Sequence, residues 1–320
     1  MRDRQLLIGS LALVLAASGF GMLGPVARLA YETGIEPMAF VAWRATFGVF
    51  AILLIVAVQA RRGVPLIDPR RLSRGDALGL LAIALLGLGV NVTTFVAFDL
   101  TTIALVLLAF YTYPALVAIV AVALGHDRLD GVRLAALGLA LGGMVLVVAG
   151  GLDPAPGAIA FNPVGVLLGL AAAVCQTAFV TVSRGRFSSV SPEQAMGWVL
   201  FVIAISTFAL ALALGNALDV PLRDGRALGF AILAGVLGAG IPSVLLLGGI
   251  RAIGGTRSGI IMLLEPLVGV TLAAIVLHEA LRPAQVVGGG AILAAALLLQ
   301  RDRGPEDRRE PLAVPVAEHV

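Results

Sequence analysis

Apolar residues in this chain fall in long unbroken runs, and the polar positions gather in the short stretches between them. A helix that crosses a hydrocarbon core of about 30 Å needs about 20 mostly apolar residues. Ten segments meet that demand, approximately 6–30, 38–59, 77–98, 101–123, 132–150, 163–183, 194–215, 227–249, 257–277 and 284–300. Pro37 and Pro192 open the second and seventh, a position where the missing N–H of proline leaves no helical bond unmade. Gly238, Gly240 and Pro242 mark a bend in the eighth. The pattern predicts an all-α integral membrane protein.

The chain also repeats itself. Pro114, Ala121, His126, Asp127, Leu129, Gly138, Leu141 and Leu146 recur 152 residues later as Pro266, Ala273, His278, Glu279, Leu281, Gly290, Leu293 and Leu298. An odd number of spans separates the copies, so each faces the opposite way. Inverted halves of this kind build secondary-transporter sites that open to either side. The expected organisation is ten transmembrane helices as two inverted five-helix repeats, 1–150 and 151–300. A proline-containing charged tail, 301–320, is expected to be disordered and cytoplasmic.

Composition sharpens this picture. Hydrophobic residues make up 59% of the sequence and charged residues 13%, with a mean hydropathy of +1.03. A soluble domain averages roughly 45–50% apolar and about 25% charged. The net charge of +3 does not point to nucleic acid, because its layout follows the membrane. All 22 basic residues are arginines. With a cytoplasmic N-terminus, 17 of them fall inside, Arg28, Arg223, Arg226 and Arg282 fall outside, and Arg44 lies within a span. That is the positive-inside asymmetry, and it places both termini in the cytoplasm. Arg2 and Arg4 followed by an apolar run to Ala16-Ala17-Ser18 also suit a cleaved leader. The run continues to about Ala30, however, which favours a retained span.

Function classes narrow further. The single cysteine, Cys175, excludes an internal disulfide and reads as a packing residue. His126 and His278 are expected on opposite faces of the bilayer, too far apart to share a metal. No P-loop pattern occurs, so nucleotide hydrolysis is not supported, and neither a metal nor another cofactor is expected.

Two charges fall inside predicted spans, Arg44 and Glu265. A charge at the bilayer centre costs about 2.5–3.5 kcal/mol on insertion scales, so it faces protein or water and marks a functional candidate. At a rise of 1.5 Å per residue, Arg44 lies roughly 10 Å below the outer surface and Glu265 roughly 12–18 Å up from the inner one. Arg44 could take a substrate carboxylate in a bidentate pair, or pair structurally with carbonyls or a carboxylate. Glu265 could titrate and couple proton movement, or cap the carbonyl that Pro266 leaves unbonded. Tyr113 stands at the repeat counterpart of Glu265. Tyr111, two residues away, would point about 200° around a continuous helix. Asn91 and Gln176 can donate and accept at depth, and Trp43 borders Arg44. Arg44, Trp43, Asn91, Tyr111, Tyr113, Gln176 and Glu265 are therefore the candidate substrate-binding residues, with helix packing as the alternative for each. Gly138 with Gly142, and the run Gly288-Gly289-Gly290, suit close helix contacts. The same molecule is the favoured partner for these contacts, and a second copy is the alternative.

Several of these residues resemble a known family. Leu264-Glu265-Pro266 followed by Leu277-His278-Glu279-Ala280-Leu281 is similar to the ninth-helix motif of the EamA-type carriers in the drug/metabolite transporter superfamily. Tyr111-Thr112-Tyr113-Pro114 with Gly125-His126-Asp127-Arg128-Leu129 resembles the sister motif of the first half, although His126-Asp127 stands where the family usually has Gly-Glu. Gly248-Gly249-Ile250-Arg251-Ala252 and Trp43-Arg44 fit as well. The resemblance spans about residues 6–300. It implies a central cavity lined by helices one to four and six to nine. The implied function is movement of amino acids, their derivatives or other metabolites, often outward.

The expectation is a secondary transporter of small metabolites working by alternating access in a bacterial inner membrane. Its partners would be a small-molecule substrate and the lipid bilayer, and it would be a monomer rather than a homodimer. A membrane-embedded enzyme would need clustered His, Asp or Glu at depth, and a non-transporting sensor or structural protein would show no solute flux.

Overall fold

The computed structural model describes residues 2–63, 72–101, 103–125, 130–150, 162–185, 187, 189–276 and 281–301. All regular structure among them is helical. In chain order the helices are α1 (Arg2–Gly21), α2 (Leu23–Tyr31), α3 (Pro37–Arg61), α4 (Arg74–Leu100), α5 (Ile103–Phe110), α6 (Tyr113–Ala123), α7 (Gly131–Gly150) and α8 (Pro163–Gly185). They continue with α9 (Pro192–Ala213), a short α10 (Val220–Arg223), α11 (Gly225–Gly235), α12 (Ile241–Ile253), α13 (Gly255–Met262), α14 (Leu264–Val276) and α15 (Pro283–Arg301).

Among the described residues, nine helical stretches are long and apolar enough to cross a membrane. They correspond to the first nine predicted segments. The tenth segment forms α15, whose apolar part, Pro283–Leu298, is shorter than the other nine. Pro37 and Pro192 sit in the first turns of α3 and α9, as their position in the sequence predicts. The Ser191 hydroxyl caps α9 by accepting from the N–H of Gln194 at 3.2 Å, and Ser73 caps α4 through Asp76 at 3.0 Å. The predicted linker and tail lie almost wholly outside the described residues, as do His126, Asp127, His278 and Glu279.

Four of the spans are interrupted, and a proline accounts for each interruption. Pro25 cannot donate to the Gly21 carbonyl, nor Pro114 to Phe110, Pro242 to Gly238 or Pro266 to Met262. The chain breaks at Met22, at Tyr111–Thr112 and at Leu263. Between α11 and α12 it widens into a π-helical turn, Val236–Gly240, at the bend foreseen from Gly238, Gly240 and Pro242. The first segment was expected to be one continuous helix; Pro25 divides it.

The most extensive interfaces pair α7 with α15, α4 with α8, α3 with α9 and α1 with α12. Each joins a helix from before residue 150 to one from after residue 163. Large apolar side chains such as Phe50, Leu54, Leu85, Ile119, Leu167 and Leu212 cover the outside, where lipid would meet them. Inside, hydroxyls are reconciled with the apolar core by bonding the carbonyl four residues back, as in Thr46 to Ala42, Thr181 to Thr177 and Thr207 to Ile203.

Two glycine readings divide. Gly143 and Gly288 lie in the α7–α15 seam, where a Cβ on Gly288 would fall 2.4 Å from the Gly143 carbonyl oxygen. Gly138 and Gly142 instead face open space, as does Gly290. The Gly138–Gly142 pair, expected to pack within the molecule, does not. Residue 143, one step further around the helix, takes that place.

Candidate functional site

The breaks in α5–α6 and α13–α14 meet inside the bundle. Leu263, where the later helix breaks, is the counterpart of Tyr111 at the 152-residue offset, and Glu265 is the counterpart of Tyr113. Gly259 allows the approach, since a Cβ there would lie 3.3 Å from the Cα of Pro114. The Tyr111 hydroxyl donates a hydrogen bond to the Glu265 carboxyl, and Tyr113 lies within electrostatic reach of the same group. Both tyrosines are 2% exposed. The Phe110 ring centroid stands 5.2 Å from each tyrosine ring. From the other side, a Cβ on Gly21 would fall 2.6 Å from the Glu265 carbonyl oxygen, so the end of α1 is pressed against this point.

This geometry corrects one inference from periodicity. Tyr111 and Tyr113 were expected to point to opposite sides of one helix. They share the neighbourhood of Glu265 because the helix ends between them, with α5 closing at Phe110 and α6 opening at Tyr113. The observed side-chain bond of Glu265 runs to Tyr111, rather than to the Met262 carbonyl that Pro266 leaves without its helical donor.

A second polar group lies on α3 and α4. Arg44 Nη2 donates to Asn91 Oδ1 at 2.9 Å. The Asn91 amide nitrogen donates to the Gly87 carbonyl at 2.9 Å, which fixes the amide so that its oxygen faces the arginine. Tyr31, at the end of α2, is an electrostatic neighbour of Arg44. The guanidinium thus sits half-buried with a neutral acceptor. Trp43 is used differently: its indole N–H donates to the Leu218 carbonyl at 2.9 Å. Its ring stacks on Phe47 at 5.9 Å and meets the edge of Phe208 at 5.6 Å.

Helix α8 touches the helices of both groups. A Cβ on Gly89 of α4 would lie 3.0 Å from Cys175 Sγ, so Cys175 packs as expected. The Thr177 hydroxyl donates to the Ala173 carbonyl at 2.8 Å and lies 3.5 Å from the Tyr113 carbonyl. Half-buried Gln176 stands between these two contacts in sequence.

The sequence reading passed over Tyr31 and Phe110. The signal for Tyr31 was available, since Tyr31, Tyr111 and Tyr113 are the three tyrosines of the chain, whereas Phe110 is one of 13 phenylalanines. It also passed over the Arg251 clamp. Arg251 donates to the Val190 carbonyl at 2.7 Å and the Phe187 carbonyl at 3.2 Å, with its guanidinium 5.1 Å from the Phe187 ring centroid. Phe187 is buried with φ +46°, a strained backbone for a bulky residue. Its partner is 64 residues away in sequence, and no periodic signal announces it. Trp198 is 45% exposed, with its ring against the edge of Phe201 at 6.3 Å. Among the described residues, no group of three His, Cys, Asp or Glu could hold a metal.

Broken apolar helices around a half-buried carboxyl and guanidinium define a multi-pass membrane protein with a polar centre. The EamA-like transporter family model matches residues 7–149 and again residues 163–301, so the chain belongs to that family, whose members are transporters. The doubled match fits the internal repeat. A solved crystal structure is similar to this chain with a TM-score of 0.74 at 23% identity, covering 94% of this chain and 99% of the other. At that identity the likeness shows the fold. None of the curated proteins matches.

Proposed function

We propose that this chain is a secondary carrier of small metabolites that works by alternating access. In this reading its ten spans form two inverted five-helix repeats, 1–150 and 151–300, with a cytoplasmic tail at 301–320. It works as a monomer in a bacterial inner membrane with both termini inside. The observation that carries the reading is the Tyr111–Glu265 bond. It joins the break of one helix to the break of its repeat counterpart, and broken helices are where carriers of this architecture place their sites. Interfaces that pair early helices with late ones support it, because a rocking motion of two halves needs their shared surface to be the moving one.

In the second polar group Arg44, held by Asn91, presents a guanidinium to an anionic group of the substrate. Glu265 supplies the titrating carboxyl, with Tyr111 and Tyr113 as its hydroxyl neighbours. Half-buried Gln176 adds an amide from α8, and Trp43 anchors α3 through the Leu218 carbonyl. The test is flux in proteoliposomes against a panel of amino acids and other small metabolites, with and without an imposed proton gradient. Wild-type uptake driven by the gradient, lost in Glu265→Gln at unchanged folding, is the expected result. Flux that keeps its full gradient dependence in Glu265→Gln removes the coupling role, and no flux of any solute removes the carrier reading.

A further inference from the structure

The turn between α12 and α13 gathers polar groups that the transport reading does not use. Gly254 takes φ +82° there and caps α13 without any side-chain bond. The N–H groups of Gly255 and Thr256, which open α13, lie ahead of the first N–H that bonds to its cap, that of Ser258 to Gly254. Gly254 has no side chain to accept from them, and its carbonyl accepts instead from the Ser258 N–H at 3.2 Å.

Helix α8 brings side chains to this turn. A Cβ on Gly255 would lie 3.0 Å from Val180 Cγ1, and one on Gly254 would lie 3.4 Å from both Cζ and Nη2 of Arg184. Val180, Ser183 and Arg184 are spaced i, i+3 and i+4, so they share the face of α8 that meets the turn. Thr256 is 0% exposed and its hydroxyl has no partner; the same holds for Ser183. The Arg184 Nη1 atom is enclosed and also without a partner.

Elsewhere in the bundle, buried hydroxyls bond the carbonyl four residues back. Thr256 has no such carbonyl in its own helix, since α13 begins one residue earlier. Ser183 has one available at Phe179 but does not use it. An enclosed hydroxyl or guanidinium N–H without a partner is destabilising, because the water it gave up is not replaced. Thr256 and Arg184 meet at one helix N-terminus, with Ser183 one residue before Arg184 on α8, and an oxyanion has both the charge and the lone pairs to accept from such a set.

We propose that the N-terminal turn of α13, with Arg184, Ser183 and Thr256, is a binding site for an oxyanion, a phosphate or carboxylate group. The groups are enclosed by protein in this conformation, so the anion enters as the α8–α12 seam parts, and its binding favours the parted state. The same chemistry is offered by a free anion and by an anionic lipid headgroup. The proposal does not depend on the transport reading, because binding is measured without flux.

The test uses the full chain in phosphatidylcholine nanodiscs. In one arm inorganic phosphate is titrated at constant ionic strength against chloride, read as a rise in unfolding midpoint. In the other, nanodiscs containing phosphatidylglycerol are used, and retained lipid is counted by native mass spectrometry. A saturable response in the first arm assigns the site to a free anion, and retention in the second assigns it to a headgroup. In either case Arg184→Gln and Thr256→Val should weaken the response by at least about tenfold, while Arg226→Gln, an exposed arginine elsewhere, leaves it unchanged. If Arg184→Gln does not fold, Arg184→Lys and the near-isosteric Thr256→Val carry the comparison. No saturable response in either arm, or variants equal to wild type, overturns the site.

Discussion

The hydroxyl of Tyr111 is hydrogen-bonded to the carboxyl of Glu265, across the seam where two broken helices face each other. Tyr111 is 2% exposed and Glu265 half-buried, so the tyrosine hydroxyl depends on the carboxyl for its partner. Tyr111→Phe should lower the unfolding free energy by about 1–3 kcal/mol, the cost of leaving an enclosed polar group unsatisfied. The double variant Tyr111→Phe/Glu265→Gln should cost less than the sum of the single changes, a coupling that denaturant titration in detergent would reveal. Strict additivity would show that the bond contributes nothing.

Arg44 and Asn91 obey similar logic with a charge involved. Asn91→Leu removes a neutral acceptor from the Arg44 guanidinium, for an expected loss of about 1.5–3 kcal/mol. Arg44→Leu/Asn91→Leu removes both partners and should recover much of that stability. If substrate recognition uses Arg44, the double variant folds yet binds no transported solute, and Arg44→Lys restores charge without restoring affinity, because the planar fork is missing. Equal affinity of wild type and Arg44→Lys, measured by ligand-induced shift of the unfolding midpoint, would place Arg44 outside the site.

The α7–α15 seam discriminates between neighbouring glycines. Gly288→Val drives a side chain into the Gly143 backbone, which cannot swing aside, and should cost about 1–3 kcal/mol or more. Gly138→Val, facing open space, should stay within about 0.5 kcal/mol of wild type. Thermal unfolding of the two variants side by side checks the assignment; equal losses would refute it.

Arg251 holds the connection between α8 and α9 by two backbone carbonyls and the Phe187 ring. Arg251→Gln keeps one donor group but loses the fork and the cation. Limited proteolysis in detergent should then cut between α8 and α9 several-fold faster, tracking the larger open population of that segment. An unchanged cleavage rate would mean the strained Phe187 conformation is held by packing alone.

Much of this architecture could be read before any coordinates. Pro37 and Pro192 announce their helices, Gly238, Gly240 and Pro242 announce a bend that proves to be a π-helical turn, and Pro114 and Pro266 lie at the two breaks that meet. The candidate residues were visible because charge and amide groups are rare in apolar runs. What could not be read is angular. A break resets the rotational phase of a helix, so periodicity misassigned Tyr111 relative to Tyr113. It likewise chose Gly138 over Gly143, since which glycine faces a neighbour depends on a helix rotation set by packing. The Arg251 clamp and the Arg184 cluster depend on loop placement, which hydropathy does not encode.

The pairing of early helices with late ones has a consequence for biogenesis. While the ribosome is still making the second half, α3, α4 and α7 have already entered the bilayer with their broadest surfaces uncovered. Tyr111 must wait there for a carboxyl that emerges more than 150 residues later. A nascent chain stalled near residue 160 is therefore expected to be recognised as unfinished, and the two segments should rescue each other only when inserted into the same membrane together.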